Sequence, residues 1–321
     1  MPIDKSQATR QHRIHQGVWR TNVAQWPAGQ PQNDRRVRAR YGTLPNWLAA
    51  THRGEDVRGA GADLMSPEAR SYARDRLVVL ERIDGKAEPD RLWRNLLSSQ
   101  PLAFSVAGHL HRHRSAAATV FAGLTDLQIA SLERLDPGPG LWTDHSLDGI
   151  DAEWFPPRTE HTNDLSGCDI ACCLALEDGS RVLLTIEVKY TDTFSSAPVA
   201  WSRYEHQLTA LGLDQAATIA LVQAGCSQVL RQVMITDSVR RRGLTSDVGP
   251  SGRVDAGLAV VLARQDDKVA RRVVQALDEA VGSRVPVRFW SHRHLLAEAG
   301  NVNELRGWAD AMTARYLPAG V

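Results

Sequence analysis

The sequence predicts an α/β fold, with helices flanking a mixed central β-sheet. Three observations carry this. Helical patterns between residues 66 and 113 give way, after the loop "LDPGPG", to strand-like ones. An apolar hairpin then turns at Asp178-Gly179. Helix and strand patterns alternate from there to the last residues. That order builds a sheet covered by helices on its faces.

The elements follow in chain order. Residues 1–65 are rich in Gly, Pro, Gln and Arg, with Trp19, Trp26 and Trp47 interspersed. They read as an irregular N-terminal arm with short helices at most. Residues 66–321 read as the main domain, closing in a C-terminal helical extension. Ser66-Pro67 is a helix start, with Ser as N-cap and Pro at the first helical position. "EARSYARDRLVVLERI" keeps helical spacing up to Asp84-Gly85, and a second helix is predicted around Arg91–Leu97. In "SSQPLAFSVAGHL", Ser99 and Gln100 read as a helix cap, and Pro101 sits in the first turn. Leu102, Phe104, Val106 and Leu110 give helical faces running towards His113.

"LDPGPG" is a loop by composition. "LWTDHSLDGIDAEWFPP" suggests strand interrupted by turns. "GCDIACCLALEDGSRVLLTIEVKY" then gives a strand from Asp169 to Leu176, a turn at Asp178-Gly179 and a strand from Arg181 to Lys189. Helices over Trp201–Leu211 and Ser227–Arg242 follow. "DAGLAVVLA" reads as strand, "DKVARRVVQALDEAVG" as helix and "VPVRFWS" as a last strand. "NVNELRGWADAMTARYL" closes the chain as a helix. No internal repeat or low-complexity block is visible.

Length and composition narrow the function classes. A chain of 321 residues suffices for one large domain or two modest ones. Its net charge of +1 gives no global basic signal for nucleic acid. Arginines nevertheless cluster, at Arg35, Arg36, Arg38 and Arg40, at Arg112 and Arg114, and at Arg240, Arg241 and Arg242. Cys168, Cys172, Cys173 and Cys226 fit no zinc spacing and read as buried thiols in a reducing cytoplasm. The N-terminus has no apolar h-region, and no window approaches the roughly 18 apolar residues of a membrane span. The expectation is a soluble, cytoplasmic protein. His109 and His113, in "HLHRHR", are one helical turn apart without a third zinc-protease ligand. That tract reads as a solvent-facing or phosphate-facing edge.

The hairpin carries the chemistry. Side chains at i and i+2 of a strand share a face, so Glu187 and Lys189 lie together while Ile186 and Val188 face the other way. Antiparallel pairing about the Asp178-Gly179 turn brings Asp169 nearly opposite Glu187 to Lys189. Two carboxylates at close range repel unless a hard divalent cation sits between them, and Mg²⁺ suits one or two carboxylates with waters and phosphate oxygens. A neighbouring lysine can orient water or stabilise developing negative charge.

Asp169 followed by Glu187-Val188-Lys189 resembles the PD-(D/E)xK nuclease superfamily, over roughly Leu92 to Leu262. "SSQPLAFSVAGHL" and "EVKYTDTF" resemble a bacterial restriction-endonuclease-like subgroup within it. One departure is Cys168, where the motif carries Pro. The resemblance implies a restriction-endonuclease-like core and a metal-dependent nuclease. Mg²⁺ is the implied cofactor, with Mn²⁺ as an alternative, and the implied partner is nucleic acid, DNA rather than RNA. It makes Asp169, Glu187 and Lys189 the catalytic residues, with the metal on Asp169 and Glu187. Glu153 is a candidate further ligand, against a plain strand carboxylate. Gln228 and Arg231, at i and i+3 of one helix, are candidates for positioning phosphate or water, against ordinary helix polarity. Arg240, Arg241 and Arg242 are solvated faces or phosphate contacts. Two other readings stay open: a nucleic-acid-binding module of the same fold without catalysis, and an interaction domain with a structural ion cluster.

Overall fold

The structure is a computed structural model and describes residues 6–31, 43–85, 87–138 and 143–318. The arginine group at 35–40 lies outside the described residues. The central sheet contains β1 (Ile129–Leu132), β2 (Ile150–Trp154), β3 (Cys168–Leu176), β4 (Arg181–Val188), β5 (Ala256–Ala263) and β6 (Val287–Ser291). Its order is β6-β5-β4-β3-β1, and β2 also pairs with β3. β3 and β4 are antiparallel, while β4, β5 and β6 run parallel, so the sheet is mixed as expected. β1 and β2 share the outer edge of β3, opposite Leu174–Leu176 and Cys168–Cys172 respectively. The hairpin turn needs Gly179 at φ +84, a conformation that L side chains rarely adopt.

The helices of six residues or more are α1 (Gln7–Trp19), α2 (Pro67–Arg82), α3 (Pro89–Arg94), α4 (Ser99–Arg112), α5 (Arg114–Thr125), α6 (Trp201–Ala210), α7 (Gln215–Gln223), α8 (Ser227–Arg242), α9 (Lys268–Val281), α10 (His292–Asn301) and α11 (Arg306–Tyr316). Alternation along the strands sends Ile170, Cys172, Leu184 and Ile186 into one core with Leu102, Phe104 and Leu110 of α4. Ala171, Cys173 and Leu183 face Ile235 and Val239 of α8 on the other side. Residues Ser99 to Leu110 of α4 are all buried. Gly108 lets α2 approach closely, because a Cβ there would lie 2.8 Å from the Cα of Ala69.

Among the elements named above, α5, β1, α7 and α10 were not foreseen. His113, at φ −114 and ψ 53, ends α4 and separates it from the Ala-rich α5. The first third of the N-terminal arm is a 13-residue helix, longer than expected. Its buried side chains are His12, Gln16 and Trp19. They have helical spacing but are mostly polar, so an apolar pattern does not reveal them. Tyr190 explains their burial. Its hydroxyl lies 2.9 Å from His12 Nδ1 and accepts a hydrogen bond from Gln16 Nε2 at 2.9 Å. Gln16 Nε2 also donates to the carbonyl of Arg315 in α11. Trp19, Trp26, Leu48 and Tyr316 join the same buried cluster as the sheet.

The histidine tract departs from expectation too. His109 is buried and stacks on Trp308, with ring centroids 4.6 Å apart. His113 pairs with Glu304 at 2.5 Å. Among the described residues no helix is long and apolar enough to cross a membrane, and all four cysteines are buried free thiols.

Candidate active site

The β3–β4 ladder sets Ile186 opposite Ile170. One further step in the same register opposes Glu187 to Asp169. Asp169 Oδ2 accepts a hydrogen bond from Val188 N at 2.8 Å, which ties the carboxylate to the end of β4. Lys189 extends the parallel ladder by donating its N–H to Leu262 O. Its Nζ donates to Glu187 Oε1 at 2.6 Å, and both residues are about 95% buried, at 5% and 3% exposure. The Phe194 ring lies 5.2 Å from the Lys189 amine.

Helix α8 is seated on β4 by a polar stripe with a spacing of four. Thr236 and Gln232 bond to Thr185, and Gln228 Nε2 donates to Glu187 Oε1 at 2.6 Å. Gln228 Oε1 accepts from Ser195 N, so one side chain links Glu187 to the loop that follows β4. The N-terminus of α4 closes the opposite wall. Ser98 is the cap observed there, its Oγ accepting from Gln100 N. Gln100 Nε2 donates to Glu153 Oε1 at 3.0 Å, and Ser99 N donates to Asp192 Oδ2 at 2.7 Å. Gln100 is therefore part of the site and not merely a cap. These groups enclose a cavity of about 290 Å³ that holds Glu153, Asp169, Glu187, Lys189 and Arg91.

The cavity gathers more carboxyl groups than cations. Burial pushes the Asp169 carboxyl well above its usual range, Glu187 adds to the rise, and Lys189 opposes it. Burial pushes Glu153 up to about 7; the Gln100 hydrogen bond opposes this and Glu187 reinforces it. Burial alone would lower the Lys189 amine, but Glu187 and Asp169 outweigh it and its pKa rises. Lys189 is thus held as the ammonium, while burial works against ionisation of Asp169 and Glu153.

The donor set fits a hard divalent cation: carboxylate oxygens, an adjoining amide and an unmet need for positive charge. Gln100 Oε1 is buried without a partner among the described residues. As positioned, no three His, Cys, Asp or Glu side chains among the described residues form a cluster that could hold a metal ion. Two carboxylates completed by water and phosphate oxygens is the arrangement Mg²⁺ favours.

The structure separates the other candidates. Gln228 joins the site. Arg231 does not line the cavity; it clasps the loop after β4 through Ala197 O at 3.0 Å and Pro198 O at 3.5 Å. Arg240 and Arg241 both pair with buried Asp237, at 2.8 and 2.7 Å, and Arg242 lies 3.9 Å from Glu160. They begin twelve residues beyond Gln228 on α8, about 18 Å along the axis. Arg114 is likewise engaged, with Asp148 at 3.0 Å. The arginine that does line the cavity is Arg91 of α3, 3.6 Å from Asp192 and bonded to Ser98 Oγ. The sequence marks Gln100 as a helix cap and gives Arg91 and Asp192 no place in the site. The only signals were the Ser-Gln helix start and the polar run after "EVKY". A larger cavity, about 720 Å³, opens between α2 and residues 143–151 and shares no lining residue with the site.

A family model described as the PD-(D/E)XK nuclease superfamily matches residues 2–318. The match extends well beyond the Leu92–Leu262 span of the motif resemblance and takes in α1 and α11. Neither the curated proteins nor the solved structures contain a match to the chain.

Proposed function

The chain belongs to the PD-(D/E)XK nuclease superfamily, and on that premise we propose that it is a metal-dependent nuclease that hydrolyses phosphodiester bonds of DNA rather than RNA. The observation that carries this reading is the meeting of Asp169, Glu187 and the charged Lys189 in one cavity. Asp169 and Glu187 are the residues that would hold Mg²⁺ or Mn²⁺, with Glu153 the third carboxylate at hand. Such an ion, when bound, makes water a better nucleophile and offsets negative charge on the phosphate.

The chain's own side chains supply the rest. Lys189 is positioned to donate to a non-bridging phosphate oxygen as charge grows there, or to orient the attacking water. Gln228 fixes Glu187 from behind, so that this carboxylate does not reorganise during the reaction. Gln100 does the same for Glu153. Arg91, half-exposed at the rim, is a contact for an adjacent phosphate. Hydrolysis breaks one P–O bond. The water oxygen bonds to phosphorus, the leaving oxygen takes a proton, and the water's own proton passes to solvent.

The test is incubation of purified protein with plasmid, linear duplex, single-stranded DNA and RNA, in Mg²⁺, Mn²⁺ or EDTA. Cleavage of DNA that needs a divalent ion and is lost in Asp169→Ala is the expected result. Binding without cleavage under every condition would replace this reading with a non-catalytic binding module.

A further inference from the structure

β2 pairs with β3 on one side only, so its outer peptide groups have no strand to meet them among the described residues. Helix α2 meets them instead. Tyr72 Oη accepts from Ala152 N at 2.7 Å and donates to Asp151 Oδ1 at 3.0 Å. One turn later, Arg76 donates from Nε to Ala152 O at 2.8 Å and from Nη2 to Glu153 O at 2.9 Å. Arg76 is buried, so a guanidinium taken out of water spends two donors on consecutive carbonyls of one strand.

Those carbonyls belong to the site's most unusual backbone. Glu153, the next-to-last residue of β2, has φ +46. Ala152 pairs with Ile170 and Trp154 with Cys168, but the ladder skips the intervening pair, Glu153 and Asp169. A left-handed residue inside a strand breaks the alternation of side chains. It persists only where its surroundings over-determine it. Here the kink carries the Glu153 carboxylate to Gln100 and into the cavity shared with Asp169 and Glu187.

We propose that Arg76, with Tyr72 one turn before it, is the positioning device of the active site: by gripping the Ala152 and Glu153 peptides it holds the kink that presents Glu153 beside Asp169 and Glu187. The inference rests on the nuclease reading for its consequence in catalysis, but not for its geometry. Arg76 touches no substrate in this scheme. It acts through the Ala152 and Glu153 peptides, and its positive charge also favours the Glu153 carboxylate. Arg76→Lys keeps the positive charge but replaces the planar fork with a single ammonium, which cannot serve both carbonyls in the same way. Tyr72→Phe removes only the hydroxyl contacts.

Two readouts test this on the full chain. In isotope-labelled protein, the HN–Hα coupling and the Cα and Cβ shifts of Glu153 report its φ directly. The wild type should show the left-handed signature, and Arg76→Lys should move it towards extended values, without metal or substrate present. In plasmid cleavage, Arg76→Lys should lower kcat about 10- to 100-fold, as loss of an outer-shell partner does, with KM within about twofold. If Arg76→Lys does not fold, Tyr72→Phe should show the same direction in both readouts. An unchanged Glu153 signature in the folded variant would overturn the proposal, and so would a change in KM alone. If the wild type cleaves nothing, the nuclease reading fails, while the Glu153 signature still decides whether Arg76 holds the kink.

Discussion

Replacing Glu153 by Gln should stabilise the metal-free protein, by an amount that depends on pH. Burial pushes the Glu153 carboxyl from its usual 4.5 up to about 7. The folded protein therefore holds this proton more tightly than the unfolded chain does. The corresponding stability is fully present below pH 4.5 and is lost as the pH rises through about 7. At about 1.4 kcal/mol per pH unit, the loss is about 3 kcal/mol at pH 7 but only about 0.8 kcal/mol at pH 5. Glutamine has the same shape, keeps an acceptor oxygen for Gln100 and carries no charge. It should recover most of that loss. Unfolding entropy of about 2.1 cal/mol/K per residue gives about 0.7 kcal/mol/K for this chain. The Tm should rise by about 4 °C at pH 7 and about 1 °C at pH 5. Scanning calorimetry in EDTA at the two pH values measures both. A gain as large at pH 5 as at pH 7, or a loss at both, would refute the picture of a carboxylate held against its will. Added Mg²⁺ should shrink the difference by stabilising the wild type more.

Three further outcomes are expected. Lys189→Met should lower the single-turnover cleavage rate about 10²- to 10³-fold while leaving DNA affinity, measured in Ca²⁺, nearly unchanged; weaker binding at an intact rate would make Lys189 a docking residue. Arg91→Ala should weaken DNA binding and reduce the slope of log K against log salt by about 0.9, and an unchanged slope in a titration from low to moderate salt would remove Arg91 from the interface. Replacing both Arg240 and Arg241 by Ala should instead lower stability by about 3 kcal/mol, because buried Asp237 loses its partners; denaturant melts check this, and a large fall in DNA affinity without it would return these arginines to the nucleic-acid surface.

The hairpin was legible because its information is local. Two short apolar runs, an Asp-Gly turn between them and two flanking carboxylates fix a register within about twenty residues, and Cys168–Leu176 and Arg181–Val188 lie where that register puts them. Gln100 and Arg91 were not legible, because each earns its place through a partner more than fifty or a hundred positions away. Gln100 also satisfies the ordinary pattern of a helix start, which hides its contact with Glu153. The run Arg240–Arg242 shows the opposite case. A conspicuous local charge pattern suggests a ligand surface, but Asp237 on the preceding turn neutralises much of it. α1 escaped notice because the face it buries is made of His12 and Gln16, whose burial makes sense only once Tyr190 is beside them.

Tyr190 has a bearing on the order in which the molecule is assembled. Its hydroxyl is held from α1, and Gln16, one of the residues that holds it, also reaches the carbonyl of Arg315, 299 positions along the chain. The β3–β4 hairpin closes over a short loop, whereas a contact across so much chain bears a larger closure entropy and tends to form late. The strand carrying Glu187 can thus be laid down early, while the side chain of Tyr190, just beyond Lys189, is fastened late. Deleting residues 306–318 should leave hydrogen-exchange protection in the hairpin and abolish cleavage; cleavage that survives the deletion would sever this link. During synthesis, the ribosome would then carry a chain with its acidic pair in place but Tyr190 unfastened, until the helix bearing Arg315 has emerged and docked.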